Sequence, residues 1–303
     1  MPVKTRPEAN LSGIGRDATL SPELKGEIIT EATRPPAGRI RWSARTMARA
    51  KGVSVSTVHK LWSNNDIKPH LTRTFKISGD PHFEPKFRDV IGLYLNPPDR
   101  ALVLCCDEKS RCQALERTQP GLPLGMGHVN TKTHDYIRHG TLTLFAALSC
   151  LDGRIFSQIA PRHTHGEWLG FLKQIDREAS KDVALHLIID NYTTHKHAAV
   201  KRWLKWRNDR FAKANGMPRM VTHFTPTSSS WMNLVERFFR DLTGDAIREG
   251  SFGSLKELEE AIQTYLNEHN NNPKCYVWKA TGEQIPTKIN RAREALKKAT
   301  SYV

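Results

Sequence analysis

Apolar positions follow one rhythm up to about residue 64 and another from residue 100 onward. In the first part they recur at helical spacing in short groups. Leu20 to Thr33 reads as a helix with a Ser21-Pro22 start, closed by Arg34-Pro35-Pro36-Ala37-Gly38. Ala44 to Ala50 predicts a second helix, Lys51-Gly52-Val53 a turn, and Ser54 to Asn64 a third helix capped by Ser54. Ala48 falls where two helices cross closely, Gly52 supplies the positive φ of the turn, and Val53, Val58 and Leu61 form the inner face. These offsets match a DNA-reading helix-turn-helix. From Pro69 to Pro98 the chain carries Pro, Gly and scattered aromatics, which suits a surface linker.

Beyond Arg100 the runs become β-like. Ala101 to Cys106 is continuously apolar and ends in Asp107, as a strand buried on both faces would. Thr141 to Leu151 and Arg154 to Ile159 flank Asp152-Gly153, a two-residue hairpin signal. Gly166 to Ala179 is helical, with Trp168, Leu169, Leu172 and Ile175 on one face. Val183 to Ile189 is a second buried strand, ending in Asp190. A basic helix with apolar Val200, Trp203 and Leu204 follows, then a strand from Val221 to Phe224. The last pattern is a helix carrying Trp231, Leu234, Val235 and Phe238, with Glu236 on the flank nearest the sheet. This order predicts an α/β fold with a mixed sheet whose first and fourth strands lie parallel and adjacent, preceded by a small all-α domain. The expected segments are a loose 1–19, the helix-turn-helix domain 20–77, a linker 78–99, the α/β domain 100–289 and a basic helical tail 290–303.

Charge sharpens this division. The 303 residues hold 46 Lys+Arg against 31 Asp+Glu, a net +15. Residues 1–77 account for 14 and 6 of these, leaving 32 and 25 for the rest, so a quarter of the chain carries half the surplus. A second basic zone runs from Lys196 to Arg219. Two basic zones suit two contacts with a long anion such as double-stranded DNA. On the third helix Ser56, His59 and Lys60 face outward as base-edge donors, while Arg41, Arg45 and Arg49 are placed for phosphates. Lys196, Lys201, Arg202 and Lys205 are the phosphate candidates of the second zone. No run approaches the roughly 18 apolar residues of a membrane span. The five Cys (105, 106, 112, 150, 275) lack metal or disulfide spacing, which suits a reducing, cytoplasmic setting.

The parallel first and fourth strands bring Asp107 and Asp190 to one carboxyl edge, where α/β ligand sites form, and a crossing helix brings Glu236 alongside. Three crowded carboxylates repel unless a cation neutralises them, and all-oxygen ligation selects Mg²⁺ or Mn²⁺. Two such ions suit phosphodiester cleavage. Glu108, next along the strand, points to the opposite face as a surface or salt-bridge residue. His163-Thr164-His165 and His195-Lys196-His197 invite zinc, but spacing at i and i+2 is wrong for a helix and no Cys or Glu completes either set. His195, close after Asp190, is placed to touch phosphate or attacking water. Cys105 and Cys106 read as packing residues. Trp203 and Trp231 read as core, and Trp206, among cations, as core or base platform.

Cys106-Asp107-Glu108-Lys109-Ser110, Ile189-Asp190-Asn191-Tyr192-Thr193-Thr194-His195-Lys196 and the block His223 to Arg237 resemble the three catalytic blocks of the DDE transposases, in particular the bacterial insertion-sequence branch of the Tc/mariner superfamily. The resemblance runs from about Leu20 to Lys288. It implies an RNase H-like catalytic domain, a mixed five-stranded sheet with helices on both faces. It further implies two Mg²⁺ ions, with Mn²⁺ as a substitute, held by Asp107, Asp190 and Glu236, with Asn233, Asn191 and His195 near them. Implied activities are cleavage at terminal inverted repeats and integration at a short target, typically TA, by a homodimer on DNA in the bacterial nucleoid. Two features depart from the family: one helix-turn-helix is recognisable where two are usual, and 45 residues separate Asp190 from Glu236. A stand-alone nuclease of the same fold and a DNA-binding regulator with an inactive nuclease-like domain are the alternative readings.

Overall fold

The computed structural model describes residues 20–278 except 70, 72–75, 77, 120, 123, 124, 128 and 130, together with 287, 289, 291 and 294. Segment 1–19 and most of the tail 290–303 lie outside the described residues. The chain divides into two compact units, Met1–Phe75 and Lys76–Val303.

The first unit has three helices: α1 (Pro22–Ala32), α2 (Ala44–Lys51) and α3 (Val55–Asn64). Ser21, Ser43 and Ser54 cap their N-termini with side-chain oxygens, each satisfying an amide that the helix itself cannot. Gly52 ends α2 in the left-handed conformation at φ 64°, with its amide bonded to the Ala48 carbonyl. Ile28, Met47, Ala48, Val58 and Trp62 make the core. Trp62, four residues after Val58 and so on the same face, buries more deeply than Leu61. Lys51 ties α2 back to α1 through Glu27 at 3.0 Å and Glu31 at 2.6 Å.

The second unit is built on a five-stranded sheet of order β3-β2-β1-β4-β5. Its strands are β1 (Ala101–Arg117), β2 (Tyr136–Ser149), β3 (Ile155–Ala160), β4 (Ala184–Ile189) and β5 (Met220–Phe224). β1 pairs antiparallel with β2 and parallel with β4, and β4 pairs parallel with β5. Alternate residues of β1 and β2 feed two separate cores. Val103, Cys105, Leu144 and Ala146 pack against α4 (Phe83–Leu95), α7 (Val235–Leu242) and α8 (Leu255–Asn271). Leu104, Cys106, Phe145 and Ala147 pack against α5 (His165–Glu178) and α6 (Ala198–Asn215). The mixed α/β architecture is therefore as the sequence order predicts.

Two elements differ from expectation. β1 does not stop at Asp107 but runs to Arg117, because β2 is long enough to pair with it out to Tyr136. Arg111 at φ 59° and a register shift between Lys109 and Cys112 mark a bulge in this extension. The segment read as a surface linker contains α4, whose Phe83, Phe87, Val90 and Ile91 are buried. Their spacing is helical, and Pro85 sits in the first turn, where a missing amide costs nothing. Among the described residues no helix is long and apolar enough to cross a membrane.

Candidate active site

The parallel register pairs Cys105 with Ile188, which sets Asp107 level with Asp190 just where β4 ends. β5 ends beside them, and its continuation leads into α7. This connecting loop is fastened at several points. The Thr225 amide donates to the Ile189 carbonyl at 2.9 Å, the Thr227 amide to Asp80 at 3.0 Å, and the Tyr94 hydroxyl to the Met232 carbonyl at 2.8 Å. Ser228 takes φ 58° within it, a strained conformation for a residue with a side chain.

Asn233 is fully buried, and its amide nitrogen donates to the Cys106 carbonyl at 2.9 Å and lies 3.5 Å from Asp107 Oδ2. Its carbonyl oxygen Oδ1 is buried without a partner. Glu236 stands in the exposed first turn of α7, its amide bonded to the Asn233 carbonyl. Asp107 is 7 % exposed, and burial raises its carboxyl well above the usual range, reinforced by the negative charges of Asp190, Glu108 and Glu236. Burial of the carboxyl end also raises Glu236, with Asp190 and Glu108 adding to it and Lys109 opposing. Asp190 and Glu108 thus act on both Asp107 and Glu236, and like charges held this close disfavour ionisation. Among the described residues no three His, Cys, Asp or Glu side chains stand tightly enough together to hold one ion as they are.

Asp190 departs from its neighbours. Burial pushes its carboxyl up, but hydrogen bonds from His195 and the Tyr192 amide more than offset this and leave it below the ordinary value. His195 has no exposed side-chain surface; its Nδ1 lies 2.9 Å from Asp190 Oδ1 and its Nε2 3.1 Å from Glu108 Oε2. Burial lowers its basicity, yet these two carboxylates raise it to about 9, so the ring is an imidazolium at neutral pH. Its ring centroid lies 4.3 Å from that of Trp168, the two planes tilted by 42°. His195 is therefore not open to phosphate or water; it joins the end of β4 to the middle of β1. Of the two roles expected for Glu108, surface or salt-bridge residue, it takes the second, paired with His195 and largely shielded from solvent. The missed signal was the pairing of an acid next to Asp107 with a His five residues after Asp190.

Arg41, Arg45, Arg49, Ser56, His59 and Lys60 are all exposed on the first unit. Lys201, Arg202 and Lys205 are exposed along α6. Lys196 donates to Asn191 Oδ1 at 2.6 Å and lies 4.6 Å over the Phe224 ring, while Asn191 in turn donates to the Thr225 carbonyl. Arg207 and Arg219 of the second basic zone are instead bound to Asp176. Trp231 and Trp206 are 46 % and 52 % exposed, which corrects the reading of Trp231 as core. Trp231 belongs to a 3₁₀ turn, Ser230–Met232, ahead of α7 rather than to that helix.

A sequence model of the DDE superfamily endonucleases matches residues 102–259, more than half of the chain, and the protein belongs to that family. No curated protein sequence matches it. Among solved structures, the Mos1 mariner paired end complex with Mn is similar at TM-score 0.54 and 12 % identity, covering 86 % of this chain and 75 % of that one. The Mos1 strand transfer complex is similar at TM-score 0.53 and 13 % identity, covering 95 % and 81 %. The Mos1 paired end complex with Mg gives 0.54 and 12 %, covering 88 % and 78 %. At such identities the likeness is one of fold, and that fold is RNase H-like. A DNA-cleaving enzyme follows from the family.

Proposed function

We propose that the protein is a transposase of the bacterial insertion-sequence branch of the Tc/mariner superfamily. In this reading α2 and α3 recognise the terminal inverted repeats through Ser56, His59 and Lys60, with Arg41, Arg45 and Arg49 on phosphates. Lys196, Lys201, Arg202 and Lys205 hold the strand being cut. Asp107, Asp190 and Glu236 hold two Mg²⁺ or Mn²⁺ ions, with Asn233, Asn191 and His195 beside them. The observation that carries the reading is the parallel register that sets Asp107 level with Asp190, with Glu236 near enough to raise Asp107 and to be raised itself by Asp190. The donors fit such ions: three carboxylates and the partnerless Asn233 carbonyl oxygen are all hard oxygen ligands. Two ions there would activate the attacking hydroxyl and stabilise the leaving oxygen.

The enzyme hydrolyses a phosphodiester at the element end and then directs the freed 3′-hydroxyl at target DNA, at TA. Both steps displace an oxygen at phosphorus and use the same residues. Bringing two ends together calls for two protomers, so a homodimer forms on the DNA of the nucleoid. The test incubates the protein with Mg²⁺ or Mn²⁺ and a labelled duplex of the element's end. We expect a cut at a fixed terminus that disappears in Asp190→Ala. Cutting without end preference indicates a plain endonuclease, and tight binding of uncut DNA indicates a regulator.

A further inference from the structure

Trp231 is a residue whose exposed placement the carboxylate chemistry leaves unexplained. Its loop is pinned on both sides, by Asp80 at Thr227 and by Tyr94 at Met232, so its exposure is a fixed feature of the fold. One face of the indole lies on Trp278, with centroids 6.0 Å apart and planes 24° from parallel. Trp278 in turn stacks on Tyr94, at 5.8 Å and 23°. Three rings thus form a ladder that begins in the sheet's core and ends in an indole 46 % exposed. A ring covered on one face and exposed to that degree offers its other face to solvent. Along the chain the ladder ends two residues before Asn233 and five before Glu236, in the connection that leaves β5 for α7.

We propose that the open face of Trp231 is a binding subsite for a nucleobase unstacked from the strand next to the scissile phosphate. The inference rests on the proposed DNA-cleaving site, since the occupant must arrive with the strand those carboxylates engage. A base is the component of that strand whose flat apolar face continues a ladder of parallel rings, and stacking of this kind tolerates any base. Unstacking a base costs a few kcal/mol in general, and a rigid aromatic surface offsets that cost without first having to be ordered itself. Tyr94, through its bond to the Met232 carbonyl, acts as a positioning residue for the platform.

The experiment titrates the full chain with a short labelled oligothymidylate and with an abasic oligonucleotide of equal length and charge. The wild type is expected to prefer the base-bearing strand. In Trp231→Ala affinity for oligothymidylate should fall roughly 5- to 100-fold, with affinity for the abasic strand unchanged. Trp231→Phe, which keeps a ring, should retain most of the preference. As an independent readout, 2-aminopurine in the oligonucleotide should be quenched by the wild type and by Trp231→Phe, but not by Trp231→Leu. Equal wild-type affinity for the two strands, or a preference that survives in Trp231→Ala, overturns the subsite while leaving the DNA-cleaving reading intact. If neither strand binds, the DNA reading itself fails and the subsite with it.

Discussion

Arg219 and Arg202 are both cations in one basic stretch, and they have opposite fates. Arg219 has no exposed surface; its guanidinium donates to Asp176 Oδ1 at 2.8 Å and to the carbonyls of Ser180 and Val183 at 2.6 Å each. It also reaches the carbonyls of Asp176 and Ala179, and so satisfies the C-terminal end of α5. Removing it leaves Asp176 with Arg207 as its remaining cation and the carbonyls of Ser180, Val183 and Ala179 without this donor. We expect Arg219→Met to cost about 3–5 kcal/mol in urea denaturation, with DNA affinity of the folded protein unaltered. Arg202→Ala is expected to do the reverse, leaving the urea midpoint alone while lowering the slope of log affinity against log salt by about one. No count of charges separates these two residues, because what distinguishes them is Asp176, forty-three positions upstream of Arg219. The same limit applies to His195, whose partners lie on two strands that only the sheet brings together.

At the level of elements, the sequence was most legible where one side-chain type dominates a run. The apolar stretches of β1 and β4, the Ser54 cap and the Gly52 turn are strong local signals, and each forms where its residues require. α4 was hidden because Pro85 and Gly92 read as breakers, although the first stands in a tolerant position and the second lies late in the helix. Its Phe83 and Phe87 rings stack 5.7 Å apart within the sheet's core. Phe87→Ala should therefore lower the stability of the second unit by about 3–5 kcal/mol, read by denaturant or thermal melting. A solvent-exposed linker residue would leave the melt unchanged. Asp80, just ahead of α4, is 7 % exposed and bonds Lys86, the His82 amide and the Thr227 amide. Asp80→Ala is expected to cost about 2–3 kcal/mol and to loosen the loop that carries Asn233, so cleavage should fall further than stability alone dictates. Hydrogen exchange at Thr227, compared between the two proteins, checks the second effect.

For the molecule as a whole, these interactions set a window of pH. Burial opposes ionisation of Asp80 and Asp176, but Lys86 and the Thr227 amide on the first, and Arg207 and Arg219 on the second, hold both carboxyls below their usual range. An acid lowered on folding contributes stability above its unfolded value and loses it as the pH falls, so both define an acid limit. His195 is raised to about 9. A base raised on folding contributes fully below its unfolded value near 6.5 and loses that contribution as the pH climbs through about 9. Thermal stability should decline between those values, and the decline should flatten in His195→Gln. An identical alkaline slope in that variant would show that the imidazolium bridge contributes nothing.

α6 turns back at Gly216, whose φ of 73° only glycine adopts without strain, and Asn208 then grips both backbone groups of Met220 at 2.8 Å. With Arg219 holding α5 from the same corner, the entry point of β5 is fixed by α5 and by α6 itself. The stretch between Asp190 and Glu236 is thus an excursion held at its return, and chain added between Asn208 and Arg219 leaves both anchors in place. The number of residues between the second and third acids therefore says less about where Glu236 stands than these anchors do.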